Sequence, residues 1–355
     1  MPSARCRAAV ATIALAAALT SCSTAAPVEP PAAAAAATDY APRVIDNCGH
    51  QVRFTERPSR VVIMNGISVA EVESFILLGL QDTIAANAQF YARSDDPGMV
   101  AEMAALPDGG VELNRNFDIP AEQLIALRPD LVISTWSGGF DPTLGFATRE
   151  ELFDLGINSL VNPVNCGYGK PDATPAEKAA AEDAGVASSF AFLDLLGRVF
   201  AVEDRASALI GSLRQRIADT ERAVAGRRPP VGLIVFPGMS MMNANGLPAV
   251  MTGGIYDDVL RRAGVRNAFG GADRRLTASL NAEQLAAAEV ELLIIGGFTR
   301  GEDLAAEAEA LFRAHPDWPA ARTRRYVTVA DGVYLGPLNA LAVERIARAA
   351  HPDAF

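Results

Sequence analysis

The tetrapeptide Ala-Glu-Gln-Leu occurs twice in this chain of 355 residues, at 121–124 and again at 282–285, and the likeness continues for about ten residues beyond it. IPAEQLIALRPDLVIST aligns with LNAEQLAAAEVELLIIG, so that Ala126, Leu131 and Ile133 meet Ala287, Leu292 and Ile294. Each copy reads as a short amphipathic helix running into an apolar strand. From Glu122 to Glu283 is 161 residues, far beyond solenoid periods and the size of a domain. A repeat of that length calls for two α/β lobes of related design, each offering one glutamate from an equivalent place. The competing explanation is chance recurrence of common helix formers.

The N-terminus is read apart from the fold. Arg5 and Arg7 precede an apolar run from Ala8 to Thr20, the layout of a secretory signal over residues 1–21. Thirteen residues are too few to span a bilayer. The run ends in Leu19-Thr20-Ser21-Cys22, which resembles the bacterial lipobox and implies acylation of Cys22 and a protein tethered to the membrane by lipid. A Pro/Ala-rich spacer follows, completing a lipidated linker over 22–41. The formal charge of −11 becomes −13 once Arg5 and Arg7 leave with the signal, which argues against nucleic acid and against adsorption to anionic lipid. Removing 21 residues leaves 334, too many for one core and comfortable for two. With Cys6 in the signal and Cys22 lipidated, an exported chain is expected to pair Cys48 with Cys166; two buried free thiols are the alternative.

Along the mature chain, RVIDNCGHQVRF predicts a hairpin, and SRVVIM, DTIAANA and RPDLVIST predict strands separated by helices. VAEVESFILLGL predicts a helix that buries Val69, Val72, Phe75, Ile76 and Leu78. Strands alternating with helices mean a mainly parallel sheet flanked by helices. From Asp204 a 3.6-residue period runs through Ala206, Leu209, Ile210, Leu213, Ile217 and Val224 until Gly226 and Pro229-Pro230. It predicts one helix of about 22 residues, roughly 33 Å long, either joining two lobes or lying on the surface of one. VGLIVFPG, ELLIIGG and RYVTVADG supply the strands of a second lobe. The expected organisation is an N-terminal lobe over 42–202, an interdomain helix over 203–226 and a C-terminal lobe over 227–355.

No GxSxG, HExxH, phosphate-binding loop or GxGxxG is present, and His50, His315 and His351 are far apart in sequence, so the residues point to neither an enzyme nor a multi-histidine metal site. The chain resembles instead the solute-binding proteins of ABC importers for ferric siderophores, haem and cobalamin, the class whose lobes are joined by a single long helix. The likeness covers nearly all of residues 42–350. It rests on Pro58-Ser59-Arg60-Val61-Val62, the Leu78-Gly79 helix end, Glu122 followed by Leu127-Arg128-Pro129-Asp130-Leu131-Val132-Ile133, and the 204–225 helix. The resemblance implies that Glu122 and Glu283 dock on arginines of a membrane permease dimer, and that the protein works as a monomer outside the cytoplasm with no cofactor of its own. In the second copy Glu289-Val290-Glu291 replaces Arg-Pro-Asp, a departure from the pattern.

In open α/β sheets ligands lie beyond the carboxyl ends of the strands. The loops there carry Asn65, Tyr91, Arg93, Trp136 and Phe140 in the first lobe, and Met239, Phe298, Arg300 and Tyr334 in the second. Aromatic faces with a few arginines suit a bulky metal chelate that is partly apolar and oxygen-rich. A ferric siderophore fits best, with iron held through its chelator. Haem is the rival, with Tyr91 or Tyr334 as iron ligand and the methionines lining an apolar slot, and cobalamin comes next. A surface-tethered sensor or scaffold is the alternative of another class.

Overall fold

Each copy of the repeat delivers its strand to the middle of a separate sheet. The computed structural model describes residues 40–355 apart from 67, 90, 92, 273 and 274; the signal and the Cys22 lipid site lie outside the described residues. An antiparallel hairpin, β1 (Arg43–Asn47) and β2 (His50–Phe54), leads into a four-stranded parallel sheet of β3 (Val61–Ile63), β4 (Ile84–Asn87), β5 (Leu131–Ser134) and β6 (Asn158–Val161), in the order β4-β3-β5-β6. The second sheet uses β7 (Val231–Phe236), β8 (Ala249–Met251), β9 (Arg266–Asn267), β10 (Leu292–Gly296) and β11 (Tyr326–Val329). Its order is β11-β10-β7-β8, with β9 also on β7, and only the β7–β8 pairing is antiparallel. Strands β8 and β9 carry too few residues to show a period and were not foreseen.

The two repeat copies are built alike residue by residue. Leu124 and Leu285 are buried under the helices Ala121–Ala126 and Ala282–Ala286. Gln123 exchanges hydrogen bonds with the backbone of Glu112, and the Gln284 side chain accepts from the Asn281 amide in a capping box. In the first copy Asp130 accepts from the amides of Ser59 and Arg60 at the entrance to β3. In the second, Glu291 accepts from the Val231 amide at the entrance to β7 at 2.8 Å and pairs with Arg228. The apparent departure at Glu291 thus keeps the same function, a carboxylate fastening the neighbouring strand, with one more methylene of reach.

The 22-residue helix Glu203–Val224 comes between the sheets in sequence. Ala206, Ile210, Leu213, Ile217, Thr220 and Val224 form its buried stripe, which packs on the helices Ala191–Phe200 and Asn339–Ala350. The apolar interior differs from the expected two lobe cores. Alternation along the strands sends Val61, Ile63, Leu131, Ile133 and Leu160 of the first sheet, and Ile234, Phe236, Leu292 and Ile294 of the second, into one continuous cluster that also takes in the long helix. The opposite faces bury Val62, Val132 and Val161 in one separate cluster, and Leu233, Val235, Leu293 and Ile295 in another. A shared spine between lobes opposes large hinge motion, because separating them exposes packed apolar surface.

The helix Ala70–Leu77 departs from its sequence pattern. Its apolar face is buried as expected, but Glu71, Glu73 and Ser74 are buried too. It is enclosed by both lobes, and its two carboxylates belong to the interior.

Candidate functional site

Between the two sheets lies a cavity of about 390 Å³. The N-terminal lobe contributes Ser68, Thr135, Asn165 and Tyr168; the C-terminal lobe contributes Met239, Met242, Met251, Tyr256, Arg275 and Tyr334. Thr135 directly follows β5, and Met239 lies in the 3-10 turn Pro237–Met242 that follows β7, so the cavity occupies the carboxyl ends of the central strands. A somewhat larger hollow of about 460 Å³ beside His50, Arg149 and Phe153 sits against the hairpin instead. Its Arg149 is committed to Asn47 and Ser159.

The Tyr334 hydroxyl donates to the Met239 thioether at 3.2 Å, a weak acceptor, and its ring packs on Phe236 and Tyr256. Burial, and next the Tyr256 phenol, push its pKa well above that of an ordinary phenol, so it faces the cavity as a neutral donor. On the opposite wall Thr135 and Asn162 donate to the buried Glu71 carboxylate at 2.7 Å each, as does Gln89. Asn165 is fixed by donation to the Thr135 carbonyl. The cavity is therefore lined by phenols, an amide, one guanidinium and three thioethers, a mixture suited to a ligand with oxygen acceptors and apolar bulk. Among the described residues no group of three or more His, Cys, Asp or Glu could hold a metal ion.

Of the residues expected to meet a ligand, Met239 and Tyr334 line this cavity. Trp136 stands behind it, packed on Tyr168 with ring centroids 5.3 Å apart. Three of the expected residues lie outside this cavity. Asn65 is buried and fastened to Phe117 and Asp118, because it closes the turn after β3. Phe140 folds away into the outer core under Arg149. Arg93 donates to the carbonyls of Thr299 (2.6 Å) and Glu302 (3.0 Å), so its guanidinium ties the lobes together. Tyr91 and Phe298 pair across the same seam at 5.1 Å, and Arg300 is exposed beside it. Sequence reasoning missed Tyr168, Tyr256 and Arg275, which lie in segments without a strand pattern.

The seam continues into an acidic cluster. The Asp95 carboxylate accepts from the amides of Ala330 and Gly332 and from Arg345 at 2.7 Å, while the Asp331 carboxylate accepts from the Asp95 amide. Glu73 accepts from Ser94 and faces Asp331. Burial, with the repulsion of Asp95, raises Asp331 to about 6; burial and Asp331 raise Glu73. A carboxyl whose pKa is higher folded than unfolded binds more protons in the folded state. Its contribution to stability is present below about pH 4 and lost as the pH rises through about 6. The urea midpoint of the wild type, relative to that of Asp331→Asn, is therefore expected to fall from pH 4 to pH 7. Parallel profiles for the two proteins would remove Asp331 as the titrating group.

Both repeat glutamates are exposed in the first turn of their helices. The first helix starts beside the loop after β5, where the Ala121 amide donates to Gly145. The second starts beside the loop after β7, where Asn243 and Asn245 donate to Leu280. Glu122 and Glu283 thus stand at the same end of the molecule as the cavity, one on each lobe.

The family model for periplasmic binding proteins matches residues 67–331. The chain belongs to the periplasmic binding protein family. It is a family of solute-binding proteins that act outside the cytoplasm in concert with membrane permeases, and no helix among the described residues is long and apolar enough to cross a membrane. Solved structures share the fold: a periplasmic binding protein from Veillonella parvula (18% identity, TM-score 0.67, covering 88% of this chain and 98% of that one); an ABC-type Fe3+-hydroxamate transport system from Saccharomonospora viridis (24%, 0.62, 87% and 99%); and a periplasmic haem-binding protein from Pseudomonas aeruginosa (23%, 0.59, 84% and 94%). No curated protein matches the sequence.

Proposed function

We propose that this periplasmic binding protein is the lipid-anchored receptor of an ABC iron importer. It captures a ferric siderophore in the cleft between its lobes, performs no catalysis, and presents its cargo to the permease dimer through Glu122 and Glu283. The observation that carries the ligand assignment is the neutral Tyr334 phenol, whose hydrogen bond inside an otherwise largely apolar cavity goes to a thioether. A coordinatively saturated chelate brings oxygen acceptors and asks for donors around it, while its apolar arms match Met239, Met242 and Met251. The docking assignment is supported by the repeat itself: Leu124 and Leu285 are spent on the core and Gln123 and Gln284 on fastening, whereas the two glutamates reach solvent. The similar structures named for Fe3+-hydroxamate transport and haem binding agree with an iron cargo.

Haem is the second reading, favoured by the pairing of three tyrosines with three methionines in one slot. It requires a phenolate ligand, which burial of Tyr334 opposes.

The test is fluorescence titration of the chain from Ser23 onward with ferric hydroxamate, catecholate and carboxylate chelates, haemin and cobalamin. Saturation by one ferric chelate is expected, and Tyr334→Phe should weaken it about five- to tenfold, the worth of one hydrogen bond. A Soret band with haemin, and silence with the chelates, would replace the ligand but keep the transport role. Silence throughout would favour a sensor.

A further inference from the structure

The hairpin of β1 and β2 packs at the edge of the first sheet, yet its turn is tied covalently to the cleft. Cys48, in the left-handed conformation at φ +57°, is bonded to Cys166 across 118 residues of sequence, with Cα atoms 5.1 Å apart. Cys166 stands between Asn165 and Tyr168, both of which line the cavity. The segment 162–169 contains no strand or α-helix, only the 3-10 turn Pro163–Asn165 and the hydrogen-bonded turn after it. None of its residues from 163 to 169 belongs to an apolar core cluster; it packs instead on the backbone of Glu177 and on the Trp136 ring.

Its side-chain hydrogen bonds run toward the cleft. Asn162 donates to Glu71 and Asn165 to the Thr135 carbonyl, while the Cys166 carbonyl accepts from the Ser137 hydroxyl at 2.6 Å. Gly169 lies so close to the Trp136 ring that an added Cβ would stand 2.3 Å from it, and Tyr168 packs on the same indole. The disulfide is the covalent attachment of the segment, beside the packing of Gly167 on the backbone of Glu177. It joins this wall of the cavity to a hairpin that is itself held by the ladder with five paired positions from Arg43–Phe54 to Asn47–His50 and by the hydrogen bond from Asn47 to Val161.

We propose that the Cys48–Cys166 bond positions the ligand-contacting wall: it holds Asn165 and Tyr168 in their binding arrangement, so that breaking it lowers solute affinity while both lobes stay folded. The inference rests on the solute-binding reading of the cleft. Both cysteines are half-buried and within reach of a small reductant. The sheet beneath them is fixed by residues that do not depend on the bond, with Val132 and Val161 on one face and Ile133 and Leu160 on the other. Freed from its covalent anchor, the wall samples more conformations, and a ligand must then order it on binding.

The experiment compares the oxidised chain, the same chain reduced with a phosphine, and Cys48→Ser/Cys166→Ser. Hydrogen exchange by mass spectrometry follows 162–169, 43–54 and β5, and acrylamide quenching follows Trp136. Trp318 is only 1% exposed and stays silent. On reduction the amides of Asn165 and Tyr168 should exchange about tenfold faster or more, with β5 unchanged and Trp136 more readily quenched. The affinity for a ferric trihydroxamate chelate should fall about tenfold. Tyr168→Ala should weaken the chelate in the oxidised protein but change little in the reduced one, the non-additivity expected of a bond that acts through that side chain.

Faster exchange confined to 43–54, with 162–169 and Trp136 unaltered, would overturn the proposal and leave the bond as a staple of the hairpin. Faster exchange of β5 would overturn it as well, since the bond would then hold the lobe itself. A trihydroxamate that fails to bind the oxidised protein would defeat the ligand assignment alone; exchange and quenching decide the positioning without it.

Discussion

Uptake is expected to be lost, by a hundredfold or more, when Glu122 and Glu283 are both reversed to arginine, with chelate binding by the isolated protein unchanged. Each glutamate is exposed on the first turn of a short helix whose leucine is buried and whose glutamine is fastened. The backbone under each carboxylate is therefore rigid, and little order need be lost on docking. Against arginines on a partner, each carboxylate makes charge-assisted hydrogen bonds and sets the register. Reversal removes that attraction and places like charges together, a penalty of several kcal/mol. Single reversals should give partial loss, because one lobe still docks. The measurement is uptake of labelled ferric chelate into cells carrying each variant, beside titration of the purified proteins. Normal uptake by the double variant would sink the docking assignment; loss of binding in the purified protein would show that the change had reached the cleft.

Arg345→Ala is expected to destabilise the protein by about 3 kcal/mol, the lower end of the range for stripping the partner from a buried charge. The Asp95 side chain is wholly buried, and Arg345, 38% exposed, is the cation against it at 2.7 Å. Removal leaves the carboxylate with the amides of Ala330 and Gly332 but with no countercharge, next to Asp331 and Glu73. The partial exposure of the guanidinium places the cost at the low end, since water can reach part of the gap. Because Asp95 comes from the first lobe and Arg345 from the second, the loss should appear in the cooperative unfolding of the whole chain. The check is a urea midpoint that falls with the m-value unchanged. A change below about 1 kcal/mol would mean that the pair is solvated and contributes as surface pairs do.

Much of the architecture was legible because it follows from local periodicity and from the repeat. Short apolar runs in VVI, LVIS and LLIIG named strands that parallel sheets bury on both faces, and the stripe from Ala206 to Val224 named the long helix, since burial of one face imposes its period on a helix. The chemistry around the cleft was less legible. Arg93 and Phe140 lie in the loops where a ligand was expected, but the direction of a loop side chain depends on which neighbour competes for it. Arg93 found the carbonyls of Thr299 and Glu302, over two hundred residues away, and Phe140 found the outer core. Glu71 and Glu73 sit at positions that an amphipathic helix gives to water; Gln89, Thr135 and Asn162 of its own lobe enclose Glu71, and Asp331 of the second lobe faces Glu73.

The sequence by itself determined the two related lobes, the order of their elements and the paired glutamates, because these rest on patterns repeated within short windows. The tertiary structure alone decided that the lobes share one apolar spine, that a carboxylate cluster lies at their seam, and that Tyr168, Tyr256 and Tyr334 meet in one cavity. These depend on contacts between residues distant in the chain, where the energy of a side chain is set by its surroundings and no local spacing records them.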